Sequence, residues 1–347
     1  MILSPLETLD WFAPRVPPAL VSAAAFSRVR QAAAWLPAAR GLSFECYLGA
    51  DSARVDLIAC FSPAWGCDEL AAGAPRGEPG SHMESVWQTI AALCRDWADP
   101  ASVLHERMPC LWLEFDLHPD REGVPPPFAT ACVQPGYLKG KLVSTSDPGA
   151  DEVERITWRV LHLLHGGPLS PGVERKVRAC IDELSEGSSV TLVSSHKPRG
   201  RDAVRLIVTM PRREVIAYLR RVGFPGSTDE VEEHLLTYAD VSSQADIYLD
   251  IGEELLPITS CPSPVMRSPD DPRLHQIADR LVEWGLCPPA RRDALIAFPT
   301  RRNVVLPGTA WPTTLIEATS FKLVHRSGQP LEAKGYLELQ TAFSLVD

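Results

Sequence analysis

Apolar and polar residues alternate in short runs along this chain, and the runs come in twos. Phe44–Leu48 and Arg54–Phe61 meet at a turn, Gly49-Ala-Asp-Ser52. In the second run Val55, Leu57, Ala59 and Phe61 share one face, and Arg54 and Asp56 share the other. The same alternation predicts four more strand pairs: Cys110–Leu117 with Phe128–Val133, Val190–Ser194 with Val204–Thr209, Ile247–Ile251 with Leu256–Cys261, and Phe321–His325 with Lys334–Leu339. Helical spacing separates the pairs. It predicts helices at about Met83–Trp97, where Val86, Ile90, Leu93 and Trp97 recur on one face, and at about Asp151–Leu164, Pro171–Leu184, Arg213–Val222, Thr228–Tyr238 and Arg273–Trp284. Ser170 reads as an N-cap with Pro171 in the first helical position. Ala294–Phe298 reads as an extra short strand. Gly73–Ser81 and Pro119–Pro127 read as surface loops.

Short links within each pair imply antiparallel hairpins. The intervals between pairs, roughly 45 to 75 residues, are too irregular for a solenoid. Helices between all pairs must cover one face of one large sheet. A sheet of about ten strands tends to curl, and closure removes its exposed edges. The fold class expected is therefore α/β: a closed antiparallel ten-stranded barrel surrounded by helices, with residues 1–347 forming a single domain.

In a barrel ringed by helices the outward strand face is apolar, and the inward face carries what the lumen needs. Leu111, Leu113 and Phe115 alternate with Trp112, Glu114 and Asp116. Val204, Leu206 and Val208 alternate with Arg205, Ile207 and Thr209. Ile247, Leu249 and Ile251 alternate with Tyr248 and Asp250, and Leu337 and Leu339 with Lys334, Tyr336 and Glu338. A polar face that merely meets water explains any one strand. Helices between all pairs, and aromatics mixed with the charges, favour a wet lumen of ligand size.

The composition narrows the partners. The 347 residues are 45% hydrophobic and 22% charged, with a net charge of −10, which argues against nucleic acid and leaves room for a local basic pocket. No apolar run approaches the roughly 18 residues of a membrane span, and the first residues show no secretion signal. The nine cysteines are scattered without a CxxC and read as reduced, structural thiols of a cytoplasmic protein. His162 and His165 lie three apart on a predicted helix with no carboxylate completing a site, so no metal is expected. Arg291-Arg292 and Arg301-Arg302 read as a solvated loop. No nucleophile-elbow, phosphate-loop or dinucleotide motif is present.

Glu45, a turn, then Arg54 leading to Phe61-Ser-Pro63 resembles the N-terminal signature of the dimethylallyltryptophan-synthase-like aromatic prenyltransferases. Trp112-Leu-Glu-Phe-Asp-Leu117 followed by Ala131-Cys-Val-Gln-Pro135 is similar to that family's "FD…KxYxxP" segment. Arg205-Leu-Ile-Val-Thr209 stands in the place of its "RxKxY" strand, and Lys334-Gly-Tyr336 is similar to its last, tyrosine-bearing strand. The resemblance extends over about residues 40 to 345 and implies the same ten-stranded barrel, the PT-barrel.

The resemblance also implies an activity: alkylation of an indole or other electron-rich aromatic by an allylic diphosphate, in secondary metabolism, with no other cofactor. It implies that Glu45 accepts the acceptor N–H, while Arg54, Arg205, Lys334 and Tyr336 hold the donor, with Lys322 and Arg326 as further anion ligands. Asp56 and Trp112 join the substrate-binding set. Diphosphate needs several charge-assisted donors, and an allylic cation needs aromatic faces and exclusion of water. The departures are specific. Thr130 and Cys132 replace the Lys and Tyr of one motif, and Ile207 and Thr209 those of another. With six tyrosines in the chain, the expected tyrosine shield looks mostly dismantled. The rival readings are an acid–base cyclase or isomerase using Asp56, Glu114 or Asp116, and a carrier of small molecules or peptides. Glu45 has two readings of its own: a buried partner for Arg54, or a ligand for the acceptor.

Overall fold

The structure is a computed structural model, and it describes residues 3–50, 52–73, 80–105, 107–134, 150–236, 241–306 and 312–343. Ten strands close into an antiparallel ring. They are β1 (Gly41–Tyr47), β2 (Val55–Phe61), β3 (Leu111–Phe115), β4 (Phe128–Cys132), β5 (Ser189–Ser195), β6 (Val204–Pro211), β7 (Gln244–Ile251), β8 (Leu255–Pro262), β10 (Thr313–Arg326) and β11 (Glu332–Phe343). Neighbours run in chain order, β8 pairs with β10, and β11 pairs with both β10 and β1, which closes the barrel. An eleventh strand, β9 (Thr300–Val304), lies outside the ring on the free side of β10. Five hairpins make the ring, as the alternation predicts.

Helices cover the outside. They are α1 (Pro5–Phe12), α2 (Ala23–Ala33), α3 (Cys67–Ala71), α4 (His82–Ala98), α5 (Ala150–His165), α6 (Pro171–Asp182), α7 (Val215–Arg221), α8 (Thr228–Leu236), α9 (Pro272–Glu283) and α10 (Pro289–Ala297). Ser81 caps α4, its hydroxyl accepting from the Glu84 amide at 3.2 Å, and Val86, Ile90, Leu93 and Trp97 are buried against the barrel wall. The outward strand residues Val55, Leu57, Leu113, Val208 and Leu337 are all buried in this layer. Packing of this kind contributes about 1.5–3 kcal/mol for each large side chain.

Three readings change. Ala294–Phe298 is not a strand: Leu295 lies in α10, whose Pro289 occupies a first-turn position where its missing amide costs nothing. The extra strand follows at Thr300–Val304. The arginine pairs are not a solvated loop either. Arg291 on α10 donates to the carbonyls of Tyr47 and Gly49 at 2.7 and 2.6 Å and so holds the β1–β2 turn. Arg302 on β9 donates to Trp11 O at 3.0 Å and, with Arg15, faces the fully buried Glu317. Finally, α1 and α2 went unassigned, although Ser4 and Glu7 form a reciprocal capping box. Most of the Gly73–Ser81 loop, Pro135, and the last two residues of the helix expected to reach Tyr238 lie outside the described residues.

Gly335 fits α10 to the barrel. A Cβ there would stand 2.8 Å from Leu295 Cδ2 and 3.2 Å from Leu48 Cδ2, so only glycine lets α10 approach β11 this closely.

Candidate functional site

Strand alternation and cross-strand register place the site. Glu45 stands opposite Tyr336 on one side and Asp56 on the other, and Lys322 stands opposite Lys334. Residues directly opposite share a face, so all of these project into the lumen. Glu45 is fully buried. Its carboxylate accepts from Lys322 Nζ at 2.7 Å, from Lys334 Nζ at 2.9 Å and from the Tyr336 hydroxyl. Lys334 Nζ also donates to Tyr47 Oη at 2.8 Å. Burial works against the charge on Glu45, but the two ammoniums and the Tyr336 hydrogen bond hold it well below the usual carboxylate range. Burial lowers the Lys334 ammonium.

Arg54 does not pair with Glu45. It grips Asp56 with Nε and Nη2 at 3.0 and 2.8 Å and reaches Asp116 Oδ1 at 3.2 Å. The Leu117 amide adds a bond to Asp56 Oδ1 at 2.8 Å. Burial and the neighbouring Glu45 carboxylate nevertheless push Asp56 up to about 7, because Arg54 offsets only part of both effects. The pairing of Glu45 with Arg54 thus gives way: its counter-ions are Lys322 and Lys334, which come from the far end of the chain.

The remaining charges complete a ring. Arg199, in the β5–β6 turn, bridges Asp116 Oδ2 at 2.8 Å and Glu114 Oε1 at 2.7 Å, with its guanidinium 3.7 Å from the centre of the Phe128 ring. Burial would raise Asp116, but Arg199 and Arg54 keep it below its ordinary value. Arg205 binds Asp250 through Nε and Nη2 at 2.6 and 2.9 Å, and His196 Nε2 lies 3.2 Å from the same carboxylate. Arg326 pairs with Glu332 at 3.3 Å. Three tyrosines face these cations. Lys334 Nζ lies 4.1 Å from the centre of the Tyr47 ring, Arg54 4.5 Å from the same ring, and Lys322 5.3 and 5.1 Å from those of Tyr248 and Tyr336.

These groups surround a cavity of ≈ 350 Å³ whose wall includes Tyr47, Arg54, Glu114, Asp116, Arg205, Lys322 and Lys334. Glu45 and Asp56 are fully buried, and neither they nor Tyr336 belong to its wall. Trp112 is also absent from this wall. It faces an apolar patch of Cys110, Cys132, Leu192 and Ile207, joined by Cys60 and Tyr248. Ile207 stands opposite Leu192, and Leu192 opposite Cys132, so two of the four departures from the family pattern flank one residue.

Of the residues expected from sequence, the structure brings Arg54, Glu114, Asp116, Arg205, Lys322 and Lys334 to one cavity, places Glu45, Asp56 and Tyr336 just behind it, and sets Trp112 apart. The sequence reading missed Tyr47, His196, Arg199 and the role of Tyr248. Counting in twos from Glu45 reaches Tyr47, and Tyr248 shares a face with Asp250, so period alone carried a signal for both. Arg199 lies in a turn, where no period applies. Among the described residues, Glu45, Asp56 and Glu114 each offer an oxygen within 4.8 Å of the others, the separation a metal ion could bridge. Each already has a cationic partner in Lys322, Arg54 or Arg199.

No family model and no curated protein matches the sequence. Among solved structures, the chain is similar to the apo form of prenyltransferase PriB, at 17% identity and a TM-score of 0.52, covering 97% of this chain and 96% of that one. It is also similar to 5-dimethylallyl tryptophan synthase from Streptomyces coelicolor in complex with DMASPP and Trp, at 14% identity and a TM-score of 0.48, covering 97% and 95%. No helix among the described residues is long and apolar enough to cross a membrane. By fold, this chain is a PT-barrel: ten antiparallel strands closed around a lumen and ringed by helices.

Proposed function

We propose that the protein is a transferase that moves an allylic group from its diphosphate to an electron-rich aromatic acceptor inside the barrel. The observation that carries this reading is the interleaving of cations and tyrosine faces along one lumen: Lys334 and Arg54 against Tyr47, Lys322 against Tyr248 and Tyr336. The full-length fold likeness to prenyltransferase PriB supports it.

In this reading the diphosphate lies against Lys322, Lys334 and Arg205, with Arg326 beside them. Its charge is met by donors of fixed position. When the allylic carbon–oxygen bond breaks, the electron pair leaves with the diphosphate, and the cation is screened by Tyr47 and Tyr248. The ring of the acceptor attacks, and its displaced proton passes to Glu114 or Asp116, the carboxylates that reach the cavity. Glu45 acts through the lysines: it fixes both ammoniums at the wall. The three tyrosines restore part of a shield that the motif departures had removed.

A second reading rests on a different observation. Arg54, Arg199, Arg205, Lys322 and Lys334 are all paired with carboxylates before any ligand arrives. A lumen so balanced suits acid–base chemistry without diphosphate, with Asp56 held near neutrality. One experiment separates the two. Dimethylallyl, geranyl and farnesyl diphosphates are added to the purified protein and its melting followed, because a ligand that binds only the native state raises apparent stability. A rise with at least one of them, and diphosphate release when an aromatic acceptor is added, supports transfer. No shift with any of the three leaves the acid–base reading standing.

A further inference from the structure

A second cavity, of ≈ 570 Å³, lies outside the barrel between α4, the end of α5 and the β5–β6 turn. On β5, Ser194 shares a hydrogen bond with the Thr130 hydroxyl and stands opposite Arg205, so it faces the lumen. The next residue, Ser195, therefore faces out, into this cavity. His165, the last residue of α5, meets it there. Its Nδ1 lies 3.1 Å from Ser195 Oγ, and its Nε2 lies 2.9 Å from Asp202 Oδ1 in the β5–β6 turn. An ionised carboxylate only accepts, so Nε2 carries the hydrogen, and Nδ1 keeps a lone pair for the Ser195 hydroxyl. Burial and the Lys197 ammonium lower the affinity of His165 for a proton, against the pull of Asp202, so the ring is neutral. Lys197 Nζ, 3.2 Å from Asp202 Oδ1, keeps that carboxylate ionised. The Lys197 amide donates to Ser195 Oγ at 3.3 Å and fixes the hydroxyl. Ser195 and His165 are buried from bulk solvent, yet both line the cavity with Asp202, so a molecule inside it reaches all three.

We propose that Ser195, His165 and Asp202 form a second catalytic centre, a serine esterase site that takes small carboxylic esters in this outer cavity. A nucleophile on one ring nitrogen and a carboxylate on the other is the logic of a Ser–His–Asp hydrolase, here with the two nitrogens exchanged. Ser195 Oγ attacks the acyl carbon as its proton passes to His165 Nδ1, and Asp202 stabilises the imidazolium that forms. The bond from the acyl carbon to the alcohol oxygen then breaks, and the alcohol leaves with the proton from His165. Water, deprotonated by the same imidazole, releases the acyl group from Ser195 as a carboxylic acid. The wall suits this chemistry. Val86, Ile90 and Leu164 offer apolar surface to the acyl chain, and Lys197 and Arg201 place positive charge for the oxyanion of the tetrahedral intermediate. Of these residues only Arg201 also belongs to the wall of the lumen, so the site stands or falls apart from the reading of the lumen.

The test uses the full chain. It is incubated with a fluorophosphonate, which labels activated serines covalently, and the adduct is mapped by peptide mass spectrometry; hydrolysis of p-nitrophenyl acetate is followed alongside. One label is expected, on Ser195, together with turnover of the ester. Ser195→Ala loses both. His165→Gln slows both by about 10²–10⁴-fold, the usual contribution of a general base. Asp202 is a positioning residue: Asp202→Asn slows labelling and moves the midpoint of its pH profile downward, because that carboxylate raises His165. A folded parent chain that carries no label on Ser195 overturns the proposal, and this result needs no variant. So does ester hydrolysis that continues at the parent rate in Ser195→Ala or His165→Gln. Neither readout uses an allylic diphosphate, so failure here is distinct from failure of the transfer reading.

Discussion

Glu45→Gln tests the centre of the site. The substitution keeps the shape of the side chain and removes its charge. Lys322 and Lys334, held 2.7 and 2.9 Å from the carboxylate, are then two buried ammoniums side by side. Removing one partner of a buried ion pair costs about 3–5 kcal/mol, chiefly because the remaining charge stays buried and uncompensated. In a chain of this length each kcal/mol is worth about 1.4 °C, so the melting temperature should fall by roughly 4–7 °C. Release of a proton by Lys334, whose affinity for it is already lowered, sets the ceiling.

A second measurement gives the variant its diagnostic value. The two lysines freed from Glu45 should take up inorganic diphosphate, so the rise in melting temperature on adding that anion should be larger in Glu45→Gln than in the parent. A variant that melts like the parent refutes the ion-pair account and returns Glu45 to an acceptor ligand, visible then only as lost kcat/KM. A destabilised variant that ignores diphosphate refutes Lys322 and Lys334 as anion ligands.

Asp56, pushed up to about 7, favours the fold in its protonated form, so its contribution is complete below pH 4 and lost as pH rises through 7, by about 4 kcal/mol at most. Asp56→Asn should therefore gain stability relative to the parent between pH 5 and pH 8 in paired melting curves; a difference that stays flat or falls removes the shifted carboxyl. Because Glu45 is a principal cause of that shift, Glu45→Gln should move the Asp56 titration downward, read by carboxyl NMR. Gly335→Ala should cost about 1–3 kcal/mol by overpacking against Leu295 and Leu48, and Leu295→Val in the same chain should recover part of it in denaturant titration. Product formation from an allylic diphosphate should be the same in EDTA as in Mg²⁺; activity lost in chelator and restored by Mg²⁺ would instead assign an ion to Glu45, Asp56 and Glu114.

The barrel was legible because its information is periodic. Val55, Leu57 and Phe61 repeat every second residue, Val86, Ile90 and Leu93 at the helical interval, and five hairpins between helices admit few closures. The site was legible where it follows the same period: Arg54, Glu114, Arg205 and Lys334 converge because alternation alone aims them inward. What stayed hidden depends on contacts between distant segments. Glu45 and Arg54 are neighbours along the hairpin, so pairing them was the local inference. The counter-ions that win, Lys322 and Lys334, come within reach of Glu45 only once β11 closes the ring against β1. Arg199 is set by a turn, which leaves no period to read. Pro289 shows the remaining error, where a capping signal outweighed a short apolar run.

The departures from the family pattern acquire a meaning once the register is known. Read along the chain, Thr130, Cys132, Ile207 and Thr209 look like separate losses of lysine and tyrosine. In the barrel, Cys132 and Ile207 flank Leu192 and form one apolar patch with Cys110 on the β3–β6 wall. A lysine at Ile207 would set an ammonium among the thiols and aliphatic side chains of this patch, which is costly unless a carboxylate of the facing strand pairs with it. The cations that remain, Lys322 and Lys334, stand on the opposite wall, each against a tyrosine. The lumen thus carries an apolar patch on the β3–β6 side, beside Glu114, Asp116 and Arg205, and lysines against tyrosines at β10 and β11. Under the transfer proposed above, an anionic head would meet Lys322 and Lys334 at β10 and β11, with Arg205 across from them.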